Sequence, residues 1–155
     1  MIELSKIFST FFYLGYIKWV PGTFGSLAAL IITLLIIDFF SFFFHIFLFS
    51  IIFILSIIFI HIYSKSISRN DSKEIIIDEF LGIYLIMLFY ENFNSINFFI
   101  KILLIFFLFR FFDILKPFPA NWIDKNYKNS FGVILDDLIA GVFTLFTLFL
   151  INAFI

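Results

Sequence analysis

The sequence predicts an all-α fold, a polytopic membrane helix bundle of about four to five apolar helices with a polar site at the cytoplasmic face. Three observations predict it. The composition is 63% hydrophobic and only 14% charged, where a soluble domain carries about 25% charged residues. The chain cannot cover a globule with polar surface, so lipid is the expected solvent. Apolar runs of helical length recur along the chain, separated by short polar stretches. The acidic residues that interrupt these runs fall towards one side once the basic loops assign sidedness. The length fits one membrane-embedded domain, residues 1–155.

Composition also excludes several function classes. A net charge of −1 rules out bulk electrostatic attraction, so no nucleic-acid partner is expected. With no cysteine, disulfides, zinc–thiolate sites and cysteine nucleophiles are excluded. The 29 phenylalanines, beside abundant Ile and Asn, read as a nucleotide-composition bias, so no single Phe is assigned a role. The start does not read as a cleaved signal, because the apolar stretch 11–17 is short and lacks a small-residue cleavage site.

Taken in order, residues 1–19 mix Glu3, Lys6 and Lys18 with apolar residues and suit an amphipathic helix at the membrane surface. Residues 20–26, VPGTFGS, signal a turn at Pro21-Gly22, with Thr23 or Ser26 able to cap the helix that follows. The apolar run 27–37 is short for a span of roughly 20 residues, so it crosses only if its flanks contribute, or it re-enters. Residues 42–63 are long enough to cross. The polar stretch 64–74 is expected as a loop, followed by an apolar run 75–90 that contains Asp78, Glu79 and Gly82. A polar loop at 91–97 leads into the helix 98–115. Pro117 and Pro119 stop that helix, because proline lacks the amide donor and clashes with the preceding turn. A loop or interfacial segment, 116–131, precedes Asp136-Asp137, which open a last apolar run, 138–155.

Cytoplasmic loops collect Lys and Arg. Lys6 and Lys18 precede the first run. Lys65, Arg69 and Lys73 precede the third. Lys116, Lys125 and Lys128 precede the fifth, while the alternate connections carry no Lys or Arg. Five crossings with the N-terminus inside put every basic loop in the cytoplasm. On that map VPGTFGS, Asp78-Glu79, the Arg110–Asp113–Lys116 stripe and Asp136-Asp137 all meet at one membrane face.

Five carboxylates, Asp78, Glu79, Asp113, Asp136 and Asp137, near one bilayer surface would repel and desolvate badly without a counter-charge. A divalent cation resolves this, and hard oxygen ligands suit Mg²⁺. Arg110 and Lys116 could grip phosphate, one by its fork and the other as a point charge. The glycines of VPGTFGS could bring backbone amides near an anion. Each feature alone has a plainer reading. Acid pairs at helix starts usually complement the dipole, and Arg110 with Asp113 at three-residue spacing makes an intrahelical salt bridge. PGTFGS is no P-loop, since the Gly-Lys-Ser/Thr ending is missing. Gly82 and Gly141 suit helix packing, and His45 and His61 lie away from the site. It is their joint occurrence on one face that points to a phosphoryl site.

In this order and spacing, VPGTFGS, IIIDEFLG, FRFFDILKPFP and LDDLIAG resemble the phosphatidylglycerophosphatase A family over residues 18–141. Tyr84 departs from the tryptophan expected there. The resemblance implies a bacterial inner-membrane, multi-pass, magnesium-dependent lipid phosphatase with its active site facing the cytoplasm. Its substrate would be phosphatidylglycerophosphate, converted to phosphatidylglycerol and phosphate. Carried over motif by motif, Pro21, Gly22, Thr23, Gly25 and Ser26 would bind substrate. Asp78, Glu79, Asp136 and Asp137 would hold one or two Mg²⁺, and Arg110, Asp113 and Lys116 would be catalytic. Asp113 could ligate metal, act as base or orient Arg110, and water or an aspartate could be the nucleophile. A homo-oligomer is compatible with this reading.

The rival classes are distinguishable. A small transporter or channel would place acids at mid-membrane depth and on both sides. A scaffold protein would show no magnesium-dependent turnover. The DG…AR…G…D…D pattern of CDP-alcohol phosphotransferases is not present.

Overall fold

A computed structural model describes residues 1–68 and 72–154. Among these residues the structure is all-helical, with seven α-helices and no strand. They are α1 (Ile2–Ser9), α2 (Pro21–Ile36), α3 (Phe42–Ile67), α4 (Ile77–Met87), α5 (Phe98–Leu115), α6 (Ala120–Asn126) and α7 (Ser130–Phe154). Short 3₁₀ turns at Leu14–Tyr16 and Tyr90–Phe93 complete it. Arg69, counted above as a basic loop residue, lies outside the described residues.

The bundle is organised around α4. Nine of its eleven residues are buried, and α2, α3, α5 and α7 all pack on it. The surrounding helices present narrow buried stripes and turn large apolar side chains outward, as lipid-facing helices do. On α5 only Lys101, Ile105 and Phe109, at four-residue spacing, are buried, while Phe99, Phe107 and Ile114 are exposed. On α2 the inward stripe is small, Gly22, Gly25, Ser26, Ala29, Leu30 and Thr33, which lets its backbone come close to α4. The hydroxyls in that stripe bond back to carbonyls of their own helix, Ser26 to Gly22 and Thr33 to Ala29, both at 2.7 Å.

Two helices, α3 and α7, are long and apolar enough to cross a membrane. At 1.5 Å per residue, the 26 residues of α3 reach about 39 Å, beyond the roughly 30 Å hydrocarbon core. By the same rise α2, with 16 residues, and α4, with 11, fall short. The 18-residue α5 includes Lys101, Arg110 and Asp113. The expected four to five apolar helices thus reduce to two that qualify by length and composition.

Several expected boundaries move. Residues 20–26 are not a turn with a later cap: α2 begins at Pro21 itself, with Pro at the first helical position. Proline favours that place, because the missing amide would have no partner there. The polar sequence SKSI continues α3 to Ile67 rather than opening the loop at residue 64. Asp136-Asp137 do not open the last helix. It starts at Ser130, where Asn129 accepts from the Gly132 amide at 2.8 Å. The first 19 residues hold the eight-residue α1, which packs on α3 with Ser5 and Ser9 buried, and the 3₁₀ turn Leu14–Tyr16.

Candidate active site

At the end of the bundle where α2, α4 and α7 begin and α5 stops lies a cavity of about 380 Å³. Six carboxylates line it, Asp78, Glu79, Asp113, Asp124, Asp136 and Asp137, with five cations, Lys18, Lys73, Arg110, Lys116 and Lys128. Each element delivers its side chains for a local reason. Asp78 and Glu79 sit in the first turn of α4, where the helix dipole favours negative charge. Asp136 and Asp137 lie nearly two turns into α7, beyond the reach of that effect, and are buried all the same. A plain dipole role therefore does not account for the second pair.

The ionic pairing divides the cavity. Arg110 Nη1 binds the Asp113 carboxylate at 2.5 Å across one helical turn, and lies 3.9 Å from Glu79. Lys116 ends α5 in a left-handed backbone conformation. That twist carries its ammonium off the Arg110–Asp113 stripe onto Asp136, at 2.5 Å, and Asp124, at 3.0 Å. Burial lowers the affinity of Lys116 for its proton, but Asp136 and Asp124 outweigh it and hold the proton more tightly than usual. Burial raises Asp124, and Lys116 and Lys128 pull it net downward. Asp78 and Asp137, 7% and 5% exposed, have no Lys or Arg within salt-bridge distance among the described residues.

That uncompensated charge is where a cation fits. One carboxylate oxygen each from Asp78, Glu79 and Asp137 lie within 4.8 Å of one another. Glu79 Oε2 is buried with no hydrogen-bond partner among the described residues. An all-carboxylate donor set of this kind suits a hard divalent ion. Asp136, expected in the same set, is instead engaged by Lys116.

Of the five residues expected from VPGTFGS, Pro21 and Gly22 line the cavity. Gly22 leaves room for the site, since a Cβ there would strike Glu79 Oε1 and lie 3.0 Å from Arg110 Nη1. Ser26 accepts a long, 3.4 Å hydrogen bond from Arg110. Gly25 lies against Ile76, and Thr23 does not line the cavity. Val20, also at the cavity, adopts φ 49°, a costly conformation for a β-branched residue. Behind the acids, α4 and α7 meet at glycines: a Cβ on Gly141 would lie 2.9 Å from the Gly82 carbonyl. His45 is at the other end, where its Nδ1 and the Tyr84 hydroxyl are 2.9 Å apart.

Sequence reading missed Asp124, Lys18 and Lys73. Asp124 lies in the 116–131 stretch expected as a loop or interfacial segment. Its spacing of eight from Lys116 acquires meaning only through the short α6, which folds it back onto the end of α5.

The family model described as Phosphatidylglycerophosphatase A matches residues 7–152. The chain is 31% identical to a Phosphatidylglycerophosphatase A of Haemophilus influenzae, over 89% of this chain and 82% of that protein. It is 30% identical to the Phosphatidylglycerophosphatase A of Escherichia coli K12, over 86% and 74% respectively. No solved structure matches. Four motifs at one cavity, a family match across nearly the whole chain and these two relatives agree: the chain belongs to the phosphatidylglycerophosphatase A family, and with it to the phosphoric monoester hydrolases.

Proposed function

We propose that this chain is a magnesium-dependent lipid phosphatase. It removes the terminal phosphate of phosphatidylglycerophosphate, giving phosphatidylglycerol and inorganic phosphate for phospholipid biosynthesis. The observation that carries this reading is the division of one cavity. Buried acids without a counter-cation among the described residues stand beside Arg110 and Lys116, which suit a phosphate group.

Asp78, Glu79 and Asp137 are the residues that would hold Mg²⁺, with Asp136 close by on α7. The ion would supply Lewis-acid polarisation of the phosphoryl oxygens. Arg110 offers its remaining guanidinium donors to those oxygens while Asp113 fixes its orientation through Nη1. Its Nε is buried and has no partner among the described residues, so the fork has capacity to spare. Lys116, held between Asp124 and Asp136, presents a fixed positive charge to the cavity. Pro21 and Gly22 shape the lip, and the missing side chain of Gly22 lets Glu79 and Arg110 approach the start of α2.

The bundle would sit in the bacterial inner membrane with this cavity at the cytoplasmic surface. Lys18, Lys73, Lys116 and Lys128 all line it, in keeping with the excess of basic residues on cytoplasmic loops. Five crossings require α2, α4 and α5 to span with their flanks. The short α4 is sheathed by other helices, so its ends need not meet lipid. A transporter would want acids at mid-depth, and here the clustered acids share one end of the bundle. The test is phosphate release from phosphatidylglycerophosphate in detergent micelles by the purified protein, with and without Mg²⁺. Release that needs Mg²⁺ supports the proposal, and no release in its presence refutes it.

A further inference from the structure

Lys18 and Lys73 also line the cavity, yet neither pairs with a carboxylate among the described residues. They are exposed at the rim, whereas Lys116 lies deeper, clamped by two acids. The two rim lysines come from different segments. Lys18 precedes α2, and Lys73 lies between α3 and α4.

A partly buried hydrogen-bond chain pins both segments to one place. The Tyr16 and Tyr63 hydroxyls are 2.8 Å apart. Tyr63 donates to Glu74 Oε2 at 3.1 Å, and Ser72 donates to the same oxygen at 2.8 Å. Ser72 and Glu74 flank Lys73, and Tyr16 stands two residues before Lys18. Gly15 lies so close to the Glu74 carbonyl that a Cβ would collide with it. Loose surface lysines need no such scaffold. Trp19, next to Lys18, is 81% exposed, and an exposed indole suits headgroup depth.

We propose that Lys18 and Lys73 form a second anion subsite, which binds the phosphodiester of a headgroup that carries both a diester and a terminal monoester phosphate. This rests on the phosphatase reading above. In such a lipid the diester lies between the terminal phosphate and the acyl chains. A terminal phosphate at Arg110 and Lys116 therefore leaves the diester towards the rim of the cavity, where the exposed Lys18 and Lys73 have no carboxylate partner among the described residues. The subsite makes the enzyme selective for two-phosphate headgroups over simple phosphomonoesters.

The experiment compares two soluble compounds, so attraction to a charged bilayer plays no part. One is the deacylated substrate, glycerophosphoglycerophosphate, with both phosphates. The other is glycerol 3-phosphate, with the monoester alone. The wild type turns over the first with the higher kcat/KM. Lys18→Ala and Lys73→Ala each reduce the ratio of the two kcat/KM values about 5-fold, the scale of one exposed charge pair. The effect falls on KM, and the Lys18→Arg and Lys73→Arg variants keep the ratio. A ratio unmoved by the alanine variants overturns the inference, including the case where they lose activity only on anionic vesicles, which would make the lysines a general membrane-attraction device. A wild type that releases phosphate from phosphatidylglycerophosphate in micelles but does not favour the two-phosphate compound also overturns the inference, whereas no release from the lipid itself removes the phosphatase reading beneath it.

Discussion

Gly141→Ala tests whether the glycine contact between α4 and α7 sets the spacing of the acids. The added methyl would lie 2.9 Å from the Gly82 carbonyl oxygen and 3.5 Å from Leu85 Cδ2. The nearer atom is backbone and cannot rotate aside, so the helices must part by a few tenths of an ångström. Alanine is favoured over glycine in a helix by about 1 kcal/mol, and overpacking a tight contact costs about 1–3 kcal/mol. The net is a loss of about 0–2 kcal/mol, so the unfolding midpoint in detergent should fall by no more than a few degrees. Catalysis is less tolerant. Asp137 lies one turn before Gly141, and Asp78 and Glu79 lie about one turn before Gly82. Any separation at the glycines therefore widens the gap between the carboxylates. A misplacement of about 1 Å can cost about 100-fold in rate, so a third of that should cost about 5-fold. Phosphate release measured beside thermal unfolding on the same preparation decides it. Full activity in Gly141→Ala would refute the argument that this contact positions the site.

Three further outcomes follow from particular contacts. Arg110→Lys keeps the charge but loses the fork that serves Asp113 and Ser26 and that is proposed to grip the phosphate, so kcat/KM should fall at least about 10-fold in the same release assay. Asp124→Asn leaves Lys116 its Asp136 partner. Turnover should drop only about 3-fold, and stability by no more than about 1 kcal/mol for this partly exposed pair, read from initial rates and melting. Tyr84→Phe strands a ring nitrogen of the buried His45 far from the cavity, and should cost about 1–2 kcal/mol in thermal unfolding with turnover retained.

The sequence carried the parts of the fold that depend on hydrophobic periodicity. The 98–115 helix was legible at both ends, because Asn97 caps it and Lys116-Pro117 ends it. Convergence of the acids on one end was legible from loop charges alone, and the motif order disclosed the family. What was not legible depends on tertiary partners. Pro21 reads equally as a turn residue or a first helical residue, and only the close approach of Gly22 and Gly25 to α4 decides for the helix. The stripe through Arg110, Asp113 and Lys116 looked continuous, yet the left-handed backbone at Lys116 sends its ammonium to α7. Spacing cannot reveal that turn, nor the fold-back of α6 that brings in Asp124. Which apolar runs cross was less legible: only α3 and α7 qualify by length and composition alone, α4 is apolar because it is packed on neighbours, and α2 is short yet turns Leu27, Ile31 and Leu35 outward.

The account stands on Asp78, Glu79 and Asp137 gathering a divalent cation, and calorimetric titration of the purified protein with Mg²⁺, wild type against Asp137→Asn, addresses that directly. The wild type should bind, and Asp137→Asn should bind at least about 10-fold more weakly with its helix content intact. Equal affinity in the two proteins would contradict the claim.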